Sequence, residues 1–278
     1  MTQRNAANYF NISNKRAMVS LGPLSAEKYC THSCPFCYVQ THFNPYASMS
    51  ATDISNWLKN QGKSFDIIYI SGDTDSFAPP RADTAIKLLE KLCDFGVDLL
   101  FTTKALLTMR HIAALHEIQK FLAKKNKFLF GCTSIAQLSM PYLEPEPIPS
   151  PQQRIEQLHN FKSNGLISVL AMRPFLPVVP TDEYIKLVNL SKNFVDLVLG
   201  ETWYADEEGI LEQKIFRGPT PKEIKFARHK MDFDGNKTTW KVFEAKNVEQ
   251  QVKRHCQSLS IPFFMRSRPA IEWIRQHK

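Results

Sequence analysis

With 278 residues the chain is long enough to bury a core without disulfide staples, and three of its six cysteines crowd into eight positions, which excludes a paired secretory framework. Lys and Arg outnumber Asp and Glu by 35 to 27, a formal net charge of +8 that favours anionic partners without by itself requiring nucleic acid. Residues Met1 to Phe10 are polar, and no stretch approaches the roughly 18 apolar residues of a membrane span, so a soluble protein of the reducing cytoplasm with no membrane partner is expected.

Short apolar runs alternate with longer amphipathic segments, the pattern of βα units around a parallel sheet. Ala17 to Leu21 is read as the first strand, leading into the cysteine-rich loop, and Asp53 to Gln61 as the helix behind it. Phe65 to Ile70 is the second strand. Arg81 to Phe95 has helical period through Ala85, Leu88, Leu89 and Leu92, and Gly96 stands at its C-cap position. Val97 to Phe101, the helix Leu107 to Ala123 and Phe128 to Cys132 continue the rhythm. Ser150 and Pro151 supply an N-cap and a first-turn proline for a helix ending at Asn164, before Gly165. Leu166 to Met172, the helix Asp182 to Lys192 and Phe194 to Leu199 complete six strands. The expected fold is α/β, a partial (β/α)6 TIM-like barrel of parallel strands.

After Gly200 the periodicity is poor until a helix at Val248 to Leu259, a short strand at Pro262 to Met265 and a last helix at Pro269 to Arg275. No repeat, low-complexity segment or linker divides the chain. One domain over residues 1–278 is expected: a lead-in (1–16), the barrel core (17–200) and a carboxy-terminal extension (201–278) suited to substrate binding.

Cys30, Cys34 and Cys37 lie in the run Cys30-Thr31-His32-Ser33-Cys34-Pro35-Phe36-Cys37-Tyr38, and no fourth cysteine is near in sequence. A four-iron cluster has four irons to ligate, so three thiolates leave one iron for a non-protein ligand. A structural zinc site needs four protein ligands, and His32 or His42 could complete one. His32 itself reads as a loop residue. The second strand ends in Ser71-Gly72-Asp73-Thr74-Asp75-Ser76, where a glycine permits close backbone approach and a carboxylate can accept from an ammonium. An acidic turn capping the next helix would account for Asp75 or Ser76.

The spacing of three and then two residues between the cysteines, with Phe36 before the last, resembles the motif of the radical S-adenosylmethionine (radical SAM) enzymes. Together with the string from Ser71, Thr103-Lys104-Ala105 to Arg110, Leu143-Glu144-Pro145, Ser150 to Arg154, Gly165 and Pro174-Phe175-Leu176-Pro177, it resembles the spore photoproduct lyase-like branch, over roughly residues 17 to 200. The resemblance implies a 4Fe-4S cluster on Cys30, Cys34 and Cys37. It implies S-adenosyl-L-methionine chelating the open iron, reductive cleavage to a 5′-deoxyadenosyl radical, and a reductant such as flavodoxin or ferredoxin. Phe36, Tyr38, Gly72, Asp73, Thr74, Lys104, Ser134 and Arg173 are then the cofactor-binding candidates, with Lys104 and Ser134 on the methionine carboxylate.

The expected reaction is lyase-type bond cleavage or rearrangement, begun by hydrogen abstraction from a nucleobase, nucleotide or nucleic acid. A peptide or other small molecule is the alternative substrate, and a structural zinc or iron-sulfur nucleic-acid module the alternative class. Arg173, Glu201, Trp203 and Cys132, at or just past strand ends, are the catalytic candidates. Arg173 would bind an anionic or carbonyl group or pair with Glu144 or Glu201; Cys132 would donate hydrogen or merely pack. Arg110 reads as a surface salt-bridge residue. The aromatic and basic residues Trp203, Tyr204, Phe216, Arg217, His229, Trp240, Arg266 and Arg268 would stack on bases and hold phosphates, or pack and be solvated.

Overall fold

The computed structural model describes residues 11–13, 15–22, 24, 30–41, 49–230 and 239–278. The lead-in Met1–Phe10 and His42 lie outside them.

All six expected strands form, in parallel register and in chain order: β2 (Arg16–Val19), β3 (Ile67–Ile70), β4 (Asp98–Thr103), β5 (Leu129–Ser134), β6 (Ile167–Phe175) and β7 (Leu197–Thr202). A short strand β1 (Asn11–Ser13), not foreseen in the lead-in, pairs antiparallel with β2. At the other edge β11 (Phe263–Phe264) pairs parallel with β7, so the extension adds a seventh parallel strand to the half-barrel. Strands β4 to β7 run two to three residues past their expected ends, because their inward polar residues line a cleft rather than ending the apolar pattern. Thr103, Ser134, Arg173 and Glu201 therefore sit on strand ends.

The intervening helices are α1 (Ala51–Lys59), α2 (Ala82–Leu92), α3 (Met109–Ala123), α4 (Pro151–Ser163) and α5 (Thr181–Ser191). Capping boxes start three of them: Ser50 with Asp53, Thr108 with His111, and Ser150 with Gln153. Each satisfies amide groups that the first helical turn leaves without partners. α2 tightens into one 3-10 turn and ends at Gly96, whose φ of 62° is left-handed and easily adopted without a Cβ.

The poorly periodic stretch after Gly200 is an antiparallel sheet, β8 (Tyr204–Ala205), β9 (Phe226–Lys230) and β10 (Thr239–Phe243), in the order β8-β10-β9. Its burial alternates weakly, which hid it from the sequence pattern. With it come helices α6 (Ile210–Phe216), α7 (Lys246–Ser258) and α8 (Ser267–His277).

The parity of the strands divides the core. Ala17, Val19, Ile68, Ile70, Leu99 and Phe101 face outwards into a cluster with α1, α2 and α3, while Leu170 and Val198 pack with residues from α4, α5 and α7. Ile67, Leu100, Phe130, Val169 and Leu197 face the hollow, where Ala270, Ile271 and Ile274 of α8 meet them fully buried. Each of the Ile, Leu, Val and Phe side chains contributes about 1.5–3 kcal/mol of burial. Arg268 of α8 bonds Asp66 at 2.8 Å and Arg275 bonds Asp98 at 2.6 Å, fixing the helix below the mouth. The extension is thus the plug and floor of the half-barrel.

Candidate active site at the mouth of the half-barrel

A cleft of about 1750 Å³ opens at the carboxyl-terminal ends of the parallel strands, lined by Cys30, Cys34, Cys37, Lys104, Ser134 and Arg173 among others. This is the end at which parallel βα barrels carry their active sites.

The cysteine loop follows β2 and is held by its neighbours. Cys37 N donates to Cys34 O at 3.1 Å inside the loop. Trp203 Nε1 donates to Phe36 O at 2.9 Å, Tyr38 OH to Gly72 O at 2.8 Å and Thr31 Oγ1 to Pro79 O at 2.9 Å. Cys34 is buried, Cys30 and Cys37 are half-buried, and none of the three is in a disulfide among the described residues. Burial pushes each thiol up, Cys37 to about 11 and Cys34 further still, so a metal must displace protons to bind them. Among the described residues no three His, Cys, Asp or Glu side chains are grouped to hold one metal ion. A cubane does not ask for that geometry, since each thiolate ligates its own iron.

Asp75 ties this loop to the next two. Its Oδ2 meets His32 Nε2 at 3.0 Å and accepts from Thr103 Oγ1 at 3.0 Å and Lys104 N at 2.7 Å, while Oδ1 accepts from Phe77 N at 3.0 Å. Burial would raise its carboxyl, but the His32 contact and the backbone donors outweigh burial and lower it. Asp75 is therefore a tether across strand ends, more than the helix cap expected, and His32 is the loop residue it was read to be. His32 Nδ1 is buried without a hydrogen-bond partner.

In the turn after β3, Ser71 has a φ of 74°, unusual for a residue with a side chain, and its Oγ accepts from Ser76 N at 3.2 Å. A Cβ on Gly72 would come within 2.9 Å of Met18 Cε, so the turn lies close against β2. Asp73 Oδ1 accepts from Thr74 N at 2.7 Å, and the Thr74 hydroxyl is engaged with Ser20 Oγ at 3.0 Å.

Lys104 and Ser134 come together as expected, with Nζ 3.2 Å from Ser134 Oγ. Lys104 also bonds Glu144 Oε1 at 2.5 Å and lies 5.3 Å from the Phe36 ring centre. Glu144 is clamped by Arg154, NH1 to Oε1 at 3.0 Å and NH2 to Oε2 at 2.5 Å, both side chains having no exposure. Burial would raise the Glu144 carboxyl, but Arg154 and Lys104 outweigh it and hold it at about 2. Two cations on one carboxylate leave one net positive charge beside Ser134, which suits an incoming carboxylate.

Arg173 lies 3.8 Å from Glu201, the partner expected of it, and not near enough to Glu144 to pair. Trp203 is buried and pins the cysteine loop, a positioning contact rather than an exposed catalytic group. Cys132 faces the hollow but is fully buried below the cleft, and burial pushes its thiol up to about 12. Trp240 is likewise buried and Phe216 packs in the core, so these aromatics of the extension are packing residues rather than a stacking platform. Lys214, His229, Lys230 and Arg266 do line the cleft, whereas Arg217 stacks on Tyr142 at 3.7 Å. Arg110 pairs with Asp83 on the surface. Arg16 and Tyr69 also line the cleft and were not singled out; their inward parity on β2 and β3 was the available signal. Among the described residues no helix is long and apolar enough to cross a membrane.

A family model described as the Radical SAM superfamily matches residues 28–191. An uncharacterized protein, ORF301 of Acidianus two-tailed virus, is 26% identical over 202 residues, 62% of this chain; the match spans 64% of that protein's length. Among solved structures, a spore photoproduct lyase variant superposes with a TM-score of 0.67 at 15% identity, covering 92% of this chain and 79% of its own. Spore photoproduct lyase complexed with dinucleoside spore photoproduct gives 0.64 at 14% identity, covering 95% and 81%. Streptococcus suis SuiB bound to precursor peptide SuiA gives 0.51 at 16% identity, covering 66% and 38%. At these identities the likeness to solved structures is one of fold.

Proposed function

From the premise that the chain belongs to the radical SAM superfamily and is an enzyme whose cofactors are a 4Fe-4S cluster and S-adenosylmethionine, we propose that it abstracts a hydrogen atom from a nucleobase, nucleotide or nucleic-acid substrate in the cleft, beginning a lyase-type cleavage or rearrangement. The observation that carries the reading is the convergence of Cys30, Cys34 and Cys37 with Lys104, Ser134 and the Gly72–Thr74 turn on one cleft. That donor set fits the cofactors: three thiols for three irons, and an ammonium, a hydroxyl and a carboxylate for the charged ends of a methionine moiety.

When bound, the cluster and S-adenosylmethionine supply the radical chemistry. Cys30, Cys34 and Cys37 hold the cluster in a loop kept in place by Trp203, Tyr38 and Asp75. Lys104 and Ser134 orient the methionine carboxylate, and Asp73 with the Gly72 backbone orients its ammonium; Phe36, Tyr38 and Thr74 shape that pocket. Arg173 and Glu201 face the substrate side. Basic residues of the extension, Lys214, His229, Lys230 and Arg266, attract an anionic substrate. A one-electron reductant such as flavodoxin or ferredoxin would supply the electron that this chemistry needs.

The test is anaerobic reconstitution followed by assay for 5′-deoxyadenosine under a strong reductant. A brown protein that forms it, faster with an oligonucleotide or nucleotide present, is expected. A colourless zinc-loaded protein inert in the assay would contradict the reading.

A further inference from the structure

Among the described residues the floor of the cleft holds a guanidinium without hydrogen-bond acceptors, whereas both cations of the methionine-side wall are bonded to Glu144. Among the described residues the Arg173 guanidinium donates no hydrogen bond, although its backbone O accepts from Ser134 Oγ at 3.3 Å; Nε is buried without a partner and the only close carboxylate, Glu201, stands 3.8 Å away. Arg16, across the hollow on β2, donates only to Ser267 Oγ at 3.3 Å and Met18 Sδ at 3.4 Å, both neutral acceptors. Arg268, the next cation along the floor, is already matched by Asp66. Of the two guanidiniums only Arg173 has a carboxylate within 4.0 Å among the described residues, and that carboxylate is partly exposed. A buried guanidinium without acceptors is costly, and an oxyanion is the ligand that relieves it, because its oxygens accept from the planar fork in pairs. Tyr69, whose OH donates to Thr102 Oγ1 at 3.3 Å, lies on the same inward face and brings no competing negative charge. The amino-terminal end of α8, with Ser267 and Arg268 at the cleft, turns its positive pole to the same place.

We propose that Arg16 and Arg173 form a subsite for an oxyanion group of the substrate, a phosphate or a carboxylate, on the barrel floor and separate from the Lys104–Ser134 wall. The inference rests on the radical SAM reading of the cleft and sharpens it: the substrate carries an anionic group and enters with that group directed at β2 and β6. Glu201 limits the subsite's charge and keeps it from being permanently filled by solvent anions.

The test is titration of the anaerobically reconstituted protein with inorganic phosphate, followed by ³¹P line broadening, with acetate in parallel by ¹H relaxation. Saturable binding of one of the two is expected, and which of them binds identifies the group as phosphate or carboxylate. Arg16→Gln and Arg173→Gln should each weaken it at least tenfold, Arg228→Gln on the outer surface should leave it unchanged, and Glu201→Gln should tighten it several-fold. That tightening is a response that a merely structural role would not produce. Should one arginine variant fail to fold, the other and Glu201→Gln still decide. The subsite is overturned if neither anion binds saturably, if both arginine variants bind as wild type does, or if S-adenosylmethionine displaces the anion, which would give the arginines to the cofactor. The titration needs no turnover, so its failure is distinguishable from absent 5′-deoxyadenosine formation, which strikes the enzyme reading instead.

Discussion

Two parts of one cleft handle charge in opposite ways. On the methionine-side wall Glu144 is enclosed by Arg154 and Lys104, with every donor in hydrogen-bond contact and the carboxylate fully buried. On the floor Arg173 stands 3.8 Å from Glu201 and Arg16 bonds only neutral acceptors, and the Arg173 guanidinium donates no hydrogen bond among the described residues. The wall is hydrogen-bonded before any ligand arrives, though it keeps one net positive charge, whereas the floor leaves a guanidinium without acceptors among the described residues. A compensated buried network contributes to folding and fixes geometry; an uncompensated one withholds stability until something binds.

The sharpest way to break this contrast is Glu144→Ala, which strands Arg154 and Lys104 in the interior. A loss of about 3–5 kcal/mol is expected in denaturant unfolding. A loss below about 1 kcal/mol would mean that the wall is not the framework described. Next is Asp75→Asn, which keeps the shape and removes the charge that gathers His32, Thr103 and Lys104 N. It should cost about 1.5–3 kcal/mol and slow cluster reconstitution, read from iron content against time.

The wall also predicts an acid limit. The Glu144 carboxyl is depressed from 4.5 to about 2, so its contribution is fully present above about 4.5 and is lost as pH falls through about 2. Unfolding free energy measured from pH 5 down to pH 2 should therefore decline over this window in wild type and decline less in Glu144→Gln. The floor gives the smallest effect: Arg173→Gln should leave ligand-free stability within about 1 kcal/mol of wild type, because no hydrogen bond is lost. A destabilisation like that of Glu144→Ala would erase the difference between wall and floor.

The difference also explains what the sequence made legible. The βα rhythm from Ala17 to Leu199 was readable because outward strand residues pack under amphipathic helices, and Ser150-Pro151 and Gly96 mark helix ends by local chemistry. The cysteine spacing, Lys104 and Ser134 were readable because they stand at strand ends in a recognisable order. Arg154 closing on Glu144 was not, because the two meet only when α4 packs beneath β5. The floor was hidden for another reason: Arg16 joins it from β2, and α8 supplies the helix that closes it, so no local pattern links them. The extension's aromatics stayed open between stacking and packing because composition cannot separate a stacking surface from a core; Trp203 and Trp240 are buried.

The central claim is that three thiolates hold a cluster with one iron open to S-adenosylmethionine. Electron paramagnetic resonance of the reduced, reconstituted protein tests it directly. Addition of S-adenosylmethionine should change the cluster signal of wild type, while Cys34→Ala should show neither the cluster signal nor the response. A full cluster signal indifferent to S-adenosylmethionine would mean that a fourth protein ligand closes the site, and would contradict the account.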